Sequence, residues 1–204
     1  MKISLQNVGK RFNREWIFKN LDQEFTSGNS YAITGANGAG KSTLLQIIAG
    51  ATLFNEGEIK YTLSNKIIRE ENIYNQISIA APYLEVIEEM TLTEFFNFHS
   101  ALKSWLPSFT SEKIISIINL EETAQKQIRY FSSGMKQRVK LAQAIFSNTP
   151  VVLLDEPCTN LDVDGIHLYK NLIKNYCSNR LLIISSNDKQ EYDFCNEIIE
   201  IKKR

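Results

Sequence analysis

The stretch that decides the fold of this chain is Gly35-Ala36-Asn37-Gly38-Ala39-Gly40-Lys41-Ser42. It matches the phosphate-binding pattern G-x-x-x-x-G-K-[ST] at every fixed position. Glycines let backbone N–H groups converge on one point, where they hold phosphate oxygens together with the positive end of a helix dipole. The pattern predicts that Lys41 reaches the β- and γ-phosphates of a nucleotide and that Ser42 offers its hydroxyl to Mg²⁺.

The residues on either side of this phosphate loop strengthen the match. Tyr31-Ala32-Ile33 is typical of a short buried strand, and residues 43–49 have the pattern of a helix that ends at Gly50. Strand, loop and helix therefore follow one another in the order that a phosphate-binding site requires.

A second motif is the apolar run Val151-Val152-Leu153-Leu154, which ends in Asp155 and Glu156. Such a run favours a parallel strand covered on both faces, with its chemistry at the carboxyl end. Asp155 is predicted to hold Mg²⁺ through water, and Glu156 to polarise the attacking water as general base. An acidic pair at a strand end is by itself more often a turn or a helix cap, but the phosphate loop upstream reverses that preference.

A third motif lies between these two and reads Phe131-Ser132-Ser133-Gly134-Met135-Lys136-Gln137-Arg138. Apolar residues at helical spacing follow it, so the motif opens a helix. With this order of motifs the chain resembles the ATP-binding cassette (ABC) ATPases, from its N-terminus to about Asp188. The family's L-S-G-G-Q signature corresponds to residues 131–135, and its S-x-L-D loop to Thr159-Asn160-Leu161-Asp162.

The resemblance implies an α/β fold: a P-loop NTPase core with a mostly parallel sheet, an antiparallel β-subdomain and an inserted helical subdomain. We expect one domain over residues 1–204. Strand-like runs in 1–30 and 57–64 predict the β-subdomain, and the segment of about 83–130 resembles the helical subdomain. Within that segment the sequence predicts one helix from Thr91 to about Lys103, opened by a capping box, and another over residues 112–120.

The resemblance also implies ATP and Mg²⁺ as ligands and a dimer in which two cassettes meet head to tail. Ser132 and Gly134 then contact the nucleotide of the other protomer, and Phe12 is the first choice for an aromatic that stacks on adenine, with Trp16 the second. Both aromatic residues could instead belong to the core. The predicted cofactor-binding residues are Phe12, Gly35, Ala36, Asn37, Gly38, Ala39, Gly40, Lys41, Ser42, Thr43, Asp155, Ser132 and Gly134. Ser42 and Asp155 are the predicted metal ligands.

Two positions depart from the family pattern. At the end of the strand after the β-subdomain, the family has a Gln that senses Mg²⁺ and contacts the transport partner. The corresponding stretch here, Ile77-Ser78-Ile79-Ala80-Ala81-Pro82-Tyr83, has no Gln, and Pro82 is nearest to its expected place. Asn187 stands where the family has a His that contacts the γ-phosphate. We assign Glu156, Lys41 and Asn187 to catalysis. Because Asn donates a hydrogen bond but carries no positive charge, we expect slow hydrolysis.

Composition excludes several other functions. Acidic and basic residues number 23 each, which gives no electrostatic reason to expect a nucleic-acid partner. No apolar stretch approaches the length that crosses a bilayer, and the N-terminus has no secretory signal. The three cysteines have neither paired spacing nor even number, so a disulfide framework or zinc site is not expected. Tandem cassettes are not expected in a chain of 204 residues.

The leading functional hypothesis is the ATP-hydrolysing subunit of an ABC transporter. It would work with a second ABC subunit and a separately encoded transmembrane permease, and lie in the cytoplasm against the inner face of the membrane. Leu84, Val86, Ile87 and Met90 lie in the segment that would grip the permease, although internal packing explains them equally well. The alternatives are a soluble ABC ATPase without transport function and a degenerate cassette that binds ATP with weak hydrolysis.

Overall fold

The computed structural model describes residues 1–202, within which the chain forms two sheets and six α-helices. The strands are β1 (Lys2–Phe12), β2 (Glu15–Thr26), β3 (Ser30–Thr34), β4 (Glu56–Leu63), β5 (Lys66–Ile67), β6 (Ile77–Ala80), β7 (Val151–Asp155), β8 (Leu181–Ser185) and β9 (Glu197–Glu200). The helices are α1 (Lys41–Ile48), α2 (Leu92–Leu102), α3 (Ser111–Ile117), α4 (Ser133–Phe146), α5 (Val163–Tyr176) and α6 (Lys189–Tyr192). Lys203 and Arg204, which the single-domain prediction includes, lie outside the described residues.

The larger sheet is parallel throughout, in the order β6-β7-β8-β3-β9. Strands β7 and β8 are buried along their whole length, which explains their uninterrupted apolar sequences. The carboxyl ends of β3, β7 and β8 meet at one edge. The phosphate loop, Asp155 and the segment after β8 are therefore neighbours although they are distant in sequence.

The smaller sheet is antiparallel, in the order β2-β1-β4-β5. Its inward residues, among them Ile3, Leu5 and Phe25, share a core with Leu44 and Leu45 of α1 and with one face of the parallel sheet. The predicted α/β fold with a mostly parallel sheet and an antiparallel β-subdomain is confirmed.

Helices α2, α3 and α4 lie in sequence between β6 and β7, and their buried residues join a second core on the other face of the parallel sheet. The capping box predicted for α2 is formed: the Glu94 N–H donates to Thr91 Oγ1 at 3.2 Å, and the Thr91 N–H donates to Glu94 Oε2 at 2.8 Å. Helix α3 ends earlier than predicted. Asn119 takes a left-handed conformation with φ 57°, which the α-helix cannot continue through.

The segment before α2 corrects part of the groove prediction. Val86 is 7% exposed and belongs to the core, so internal packing rather than the groove accounts for it, and Met90 is half-buried against the same core. Leu84 and Ile87 are 37% and 39% exposed. Among residues 1–202, no helix has the length and apolar character needed to span a membrane.

Candidate nucleotide site

The phosphate loop connects β3 to α1, and its backbone is shaped by glycines. Gly40 has φ 99°, and a Cβ there would lie 2.3 Å from the Ile17 side chain. A Cβ on Gly35, where φ is 139°, would lie 2.3 Å from the Ile201 carbonyl oxygen. Both positions therefore require glycine, and the loop stays narrow enough for its N–H groups to approach an anion.

Lys41 is the first residue of α1 and is only 6% exposed. Its Nζ donates to the Gly35 carbonyl oxygen at 2.9 Å, so the ammonium lies across the mouth of the loop. Ser42 and Thr43 follow in the first helical turn, where backbone N–H groups have no partner within the helix. A buried cation, free N–H groups and a helix N-terminus together suit a polyphosphate.

Asp155 ends β7 and is 2% exposed. Among residues 1–202 its Oδ1 has no hydrogen-bond partner. A buried carboxylate oxygen without a partner is energetically unfavourable unless a ligand satisfies it. A hydrated Mg²⁺ supplies that interaction, so the residues present fit the metal that the sequence predicts.

Glu156 differs from its neighbour because its side chain is exposed. Its φ is 43°, an uncommon conformation for a residue other than glycine, and its N–H donates to the Ser185 carbonyl oxygen at 2.8 Å. An exposed carboxylate beside a buried one is suited to accept a proton from water.

Asn187 contacts the phosphate loop directly. Its Oδ1 accepts from the Gly35 N–H at 3.3 Å, and its Nδ2 donates to Asn37 Oδ1 at 3.0 Å. Asn187 also shares a cavity with Asn37 and Glu156. The structure thus brings the three predicted catalytic residues to one edge of the sheet: Lys41, Glu156 and Asn187.

The position of the missing Gln is occupied by a turn through Pro82 and Tyr83. Tyr83 is 44% exposed. Its partial burial raises the pKa of the phenol. Sequence reasoning missed Tyr83 because a single tyrosine after a strand belongs to no recognisable motif.

The structure places Ser132 and Gly134 at the N-terminus of α4. Ser132 caps the helix, since its Oγ accepts from the Met135 N–H at 3.2 Å. Ser132, Gly134 and Asp162 line a cavity of about 690 Å³. Within residues 1–202 no hydrogen bond joins Ser132 or Gly134 to the phosphate loop of the same chain.

The two aromatic candidates for adenine lie on the antiparallel sheet. Phe12 ends β1 and is 50% exposed, with Lys10 Nζ 4.5 Å from its ring centroid. Trp16 is half-buried, with Lys19 Nζ 4.1 Å from its ring centroid. Phe12 has a free face for stacking, so it is not a core residue.

Glu191 is a further buried carboxylate that sequence reasoning missed. It is 4% exposed, and its Oε1 accepts from the Cys158 N–H at 2.7 Å. Burial raises its pKa. Glu191 therefore ties α6, which follows Asn187, to the loop that follows Glu156. The hydrogen bond between Glu191 and Cys158 is visible only in the folded chain, where these two segments lie side by side.

Comparison with known proteins is consistent with the site. A family model described as "ABC transporter" matches residues 18–159. The uncharacterized ABC transporter ATP-binding protein YybJ of Bacillus subtilis (strain 168) is 29% identical over 207 residues, covering 98% of this chain and 92% of that protein. The spermidine/putrescine import ATP-binding protein PotA of Thermotoga maritima is 33% identical over 171 residues, covering 79% of this chain and 44% of that protein.

A solved structure agrees in fold. The post-hydrolysis dimer of the ATP-binding cassette MJ0796 bound to ADP and Pi has a TM-score of 0.84 against this chain. The identity is 22%, and the match covers 99% of this chain and 96% of the other.

Proposed function

We propose specific roles for the residues of this chain in a transporter that contains two ATP-binding cassettes. The premise is that the chain belongs to the ABC transporter family as an ATP-binding, ATP-hydrolysing subunit. The observation that carries the proposal is the single edge of the parallel sheet where Lys41, Asp155 and Asn187 meet. ATP binds there with its phosphates on residues 35–43. Phe12 stacks on adenine.

In this proposal Lys41 leaves its bond with the Gly35 carbonyl oxygen and contacts the β- and γ-phosphates. Ser42 and Asp155 hold Mg²⁺, which when bound neutralises charge on the phosphate oxygens. Glu156 orients the attacking water and accepts its proton. Asn187 donates from its amide toward the γ-phosphate, where a neutral donor stabilises developing negative charge less than a cation does.

The same proposal assigns Ser132 and Gly134 to the ATP of a second cassette. Support comes from their position: the N-terminus of a 14-residue helix presents backbone N–H groups to an anion, and the chain's own phosphate loop forms no hydrogen bond with it among residues 1–202. In a dimer where the N-terminus of α4 of each chain faces the phosphate loop of the other chain, the phosphate loop and the Ser132–Gly134 segment both contact ATP.

Replacement of Lys41 with Ala tests the nucleotide site. Loss of the charge-assisted contacts lowers ATP affinity by at least about tenfold, near 1.4 kcal/mol, and abolishes measurable hydrolysis. Titration with a fluorescent ATP analogue measures the affinity. Lys66→Ala removes an exposed lysine from β5 and serves as the control with unchanged affinity. Equal affinities for wild type and Lys41→Ala overturn the assignment.

We further propose that a separately encoded permease docks beside the edge strand β6 and holds the chain at the cytoplasmic face of the membrane. Leu84 lines a cavity of about 200 Å³ with His99, Lys103 and Lys140. Lys103 Nζ donates to the Ile77 carbonyl oxygen at 2.6 Å, so the unpaired edge of β6 is partly covered by this lysine. Leu84 beside the two lysines, with Glu85 also in the lining, suits an amphipathic helix that carries an acidic residue.

Leu84→Asp tests this docking surface. A carboxylate in place of Leu84 removes its apolar contact and repels an acidic helix, so the tagged variant loses its association with the membrane fraction of cells that express the permease. Ile67→Asp alters an exposed residue on β5, at 73% exposure, and retains the association. Membrane association that survives Leu84→Asp, or that both variants lose equally, contradicts the proposed surface.

A further inference from the structure

Two buried polar atoms lie on neighbouring strands without hydrogen-bond partners among residues 1–202: Ser185 Oγ on β8 and Asp155 Oδ1 on β7. Ser185 is 0% exposed and Asp155 is 2% exposed. The strands are parallel, and these two residues are register partners. Two adjacent buried groups that lack partners mark a place where a polar ligand or water is expected.

Both side chains face α1. Side chains on a strand alternate between the two faces, so Asp155 points to the same side as Leu153, and Ser185 to the same side as Ile183. Leu153 and Ile183 share a core with Leu44 of α1. Helix α1 begins at Lys41, at the carboxyl edge of the sheet, so Ser185 and Asp155 lie beneath the first turn of the phosphate-binding helix.

A hydroxyl and a carboxylate in this position are suited to hold water rather than each other. A water bound to a divalent cation donates both of its hydrogens, and it can donate one to Asp155 Oδ1 and one to Ser185 Oγ. The structure offers no other acceptor or donor for the Ser185 hydroxyl within the described residues.

We propose that Ser185 is a positioning residue for Mg²⁺: its hydroxyl accepts a hydrogen bond from a metal-bound water beside Asp155. The inference rests on the nucleotide site of the proposed function and adds a residue that no sequence motif includes. Ser185 acts through the water and does not contact ATP.

A purely structural role for Ser185 makes the opposite prediction about stability. A hydroxyl that holds a permanent structural water or a protein partner stabilises the protein without ligand, so its removal lowers the melting temperature. A buried hydroxyl whose only partner is a metal-bound water does not stabilise the protein without ligand. Its removal therefore leaves the melting temperature unchanged or higher.

The test compares wild type with Ser185→Ala in two measurements. The first is the ratio of the Kd for a fluorescent non-hydrolysable ATP analogue in EDTA to its Kd in Mg²⁺, which reports how much the metal tightens binding. We expect this ratio to fall by about tenfold in Ser185→Ala, the usual effect of losing an outer-shell partner, while the Kd in EDTA stays the same. The second is the melting temperature without nucleotide, which we expect at or above the wild-type value.

Ser78→Ala is the matched control, because Ser78 is also a buried serine of the parallel sheet but has partners. Its hydroxyl lies 2.9 Å from Thr149 Oγ1 and 3.3 Å from the Val151 carbonyl oxygen. It should lower the melting temperature and leave the ratio unchanged.

The outcomes are distinguishable. A Ser185→Ala ratio equal to that of wild type, or a variant that does not fold, overturns the role of Ser185 in metal positioning. A wild type that binds the analogue neither in EDTA nor in Mg²⁺ instead overturns the nucleotide site itself.

Discussion

At the scale of single residues, we propose that Asn187 limits the rate of hydrolysis. Its amide bonds to both the backbone and a side chain of the phosphate loop, at 3.3 Å from the Gly35 N–H and 3.0 Å from Asn37 Oδ1. These contacts with the phosphate loop are the basis for proposing that Asn187 acts on the γ-phosphate. What it lacks is positive charge, and charge matters most in the transition state, when negative charge accumulates on the transferred group.

Asn187→His should consequently raise the maximal ATPase rate on the order of tenfold, equivalent to about 1.4 kcal/mol of barrier, with little change in ATP affinity. Steady-state kinetics of wild type, Asn187→His and Asn187→Ala measure the effect, and the Ala variant should be no faster than wild type. If the His variant is no faster either, the missing charge does not limit turnover and the degenerate-cassette hypothesis loses its support.

The residues of the site differ in how far sequence could predict them. Lys41 and Asp155 stand in motifs whose spacing alone indicates phosphate and metal chemistry. Ser185 and Glu191 stand in no motif. Their importance comes from strand register, which sets Ser185 opposite Asp155, and from a long-range bond, which joins Glu191 to the Cys158 N–H. A local pattern cannot encode either relation.

At the scale of elements, His99 joins α2 to α4. Ser147 Oγ donates to the Gln143 carbonyl oxygen at 2.6 Å, so it accepts from His99 Nε2 at 2.9 Å. His99 Nδ1 then accepts from Gln143 Nε2 at 3.1 Å. The network requires neutral imidazole. Burial lowers the pKa of His99 to about 4, and the positive charge of Lys103 contributes to the same shift.

The protein should accordingly lose stability as the pH falls from about 6.5 to about 4. In this window the unfolded chain binds a proton at His99 while the folded chain resists it, so protonation favours unfolding. Melting temperatures across this range should decrease less in His99→Gln than in wild type. His167→Gln, at an exposed position on α5, is the control. Identical pH profiles for wild type and His99→Gln would falsify the role of His99.

The elements themselves were largely predictable, because apolar periodicity and capping residues are local signals. The run Val151–Leu154 lies in β7, which ends at Asp155, and α2 begins one residue after its Thr91 cap. The end of α3 was not predictable, because the left-handed conformation of Asn119 does not interrupt the apolar periodicity of the sequence. The sequence left the burial of Val86 undecided, because its segment, residues 83–90, forms neither helix nor strand whose faces could be assigned.

At the scale of the whole molecule, the two halves of the proposed catalytic site lie on different surfaces of one chain. Lys41 and Glu156 belong to the edge of the parallel sheet, whereas Ser132 caps α4 beside a separate cavity. In the proposed dimer, two chains meet head to tail and ATP lies between these surfaces. ATP binding without hydrolysis should then hold the dimer together.

Light scattering of Glu156→Gln with and without Mg-ATP tests whether ATP holds two chains together. The variant retains the phosphate-binding residues but lacks the base, so ATP should remain bound and the molar mass should double on its addition. The double variant Lys41→Ala/Glu156→Gln should stay monomeric at the same ATP concentration. A Glu156→Gln protein that stays monomeric at every ATP concentration and hydrolyses ATP at the wild-type rate would contradict both the dimer and the base assignment.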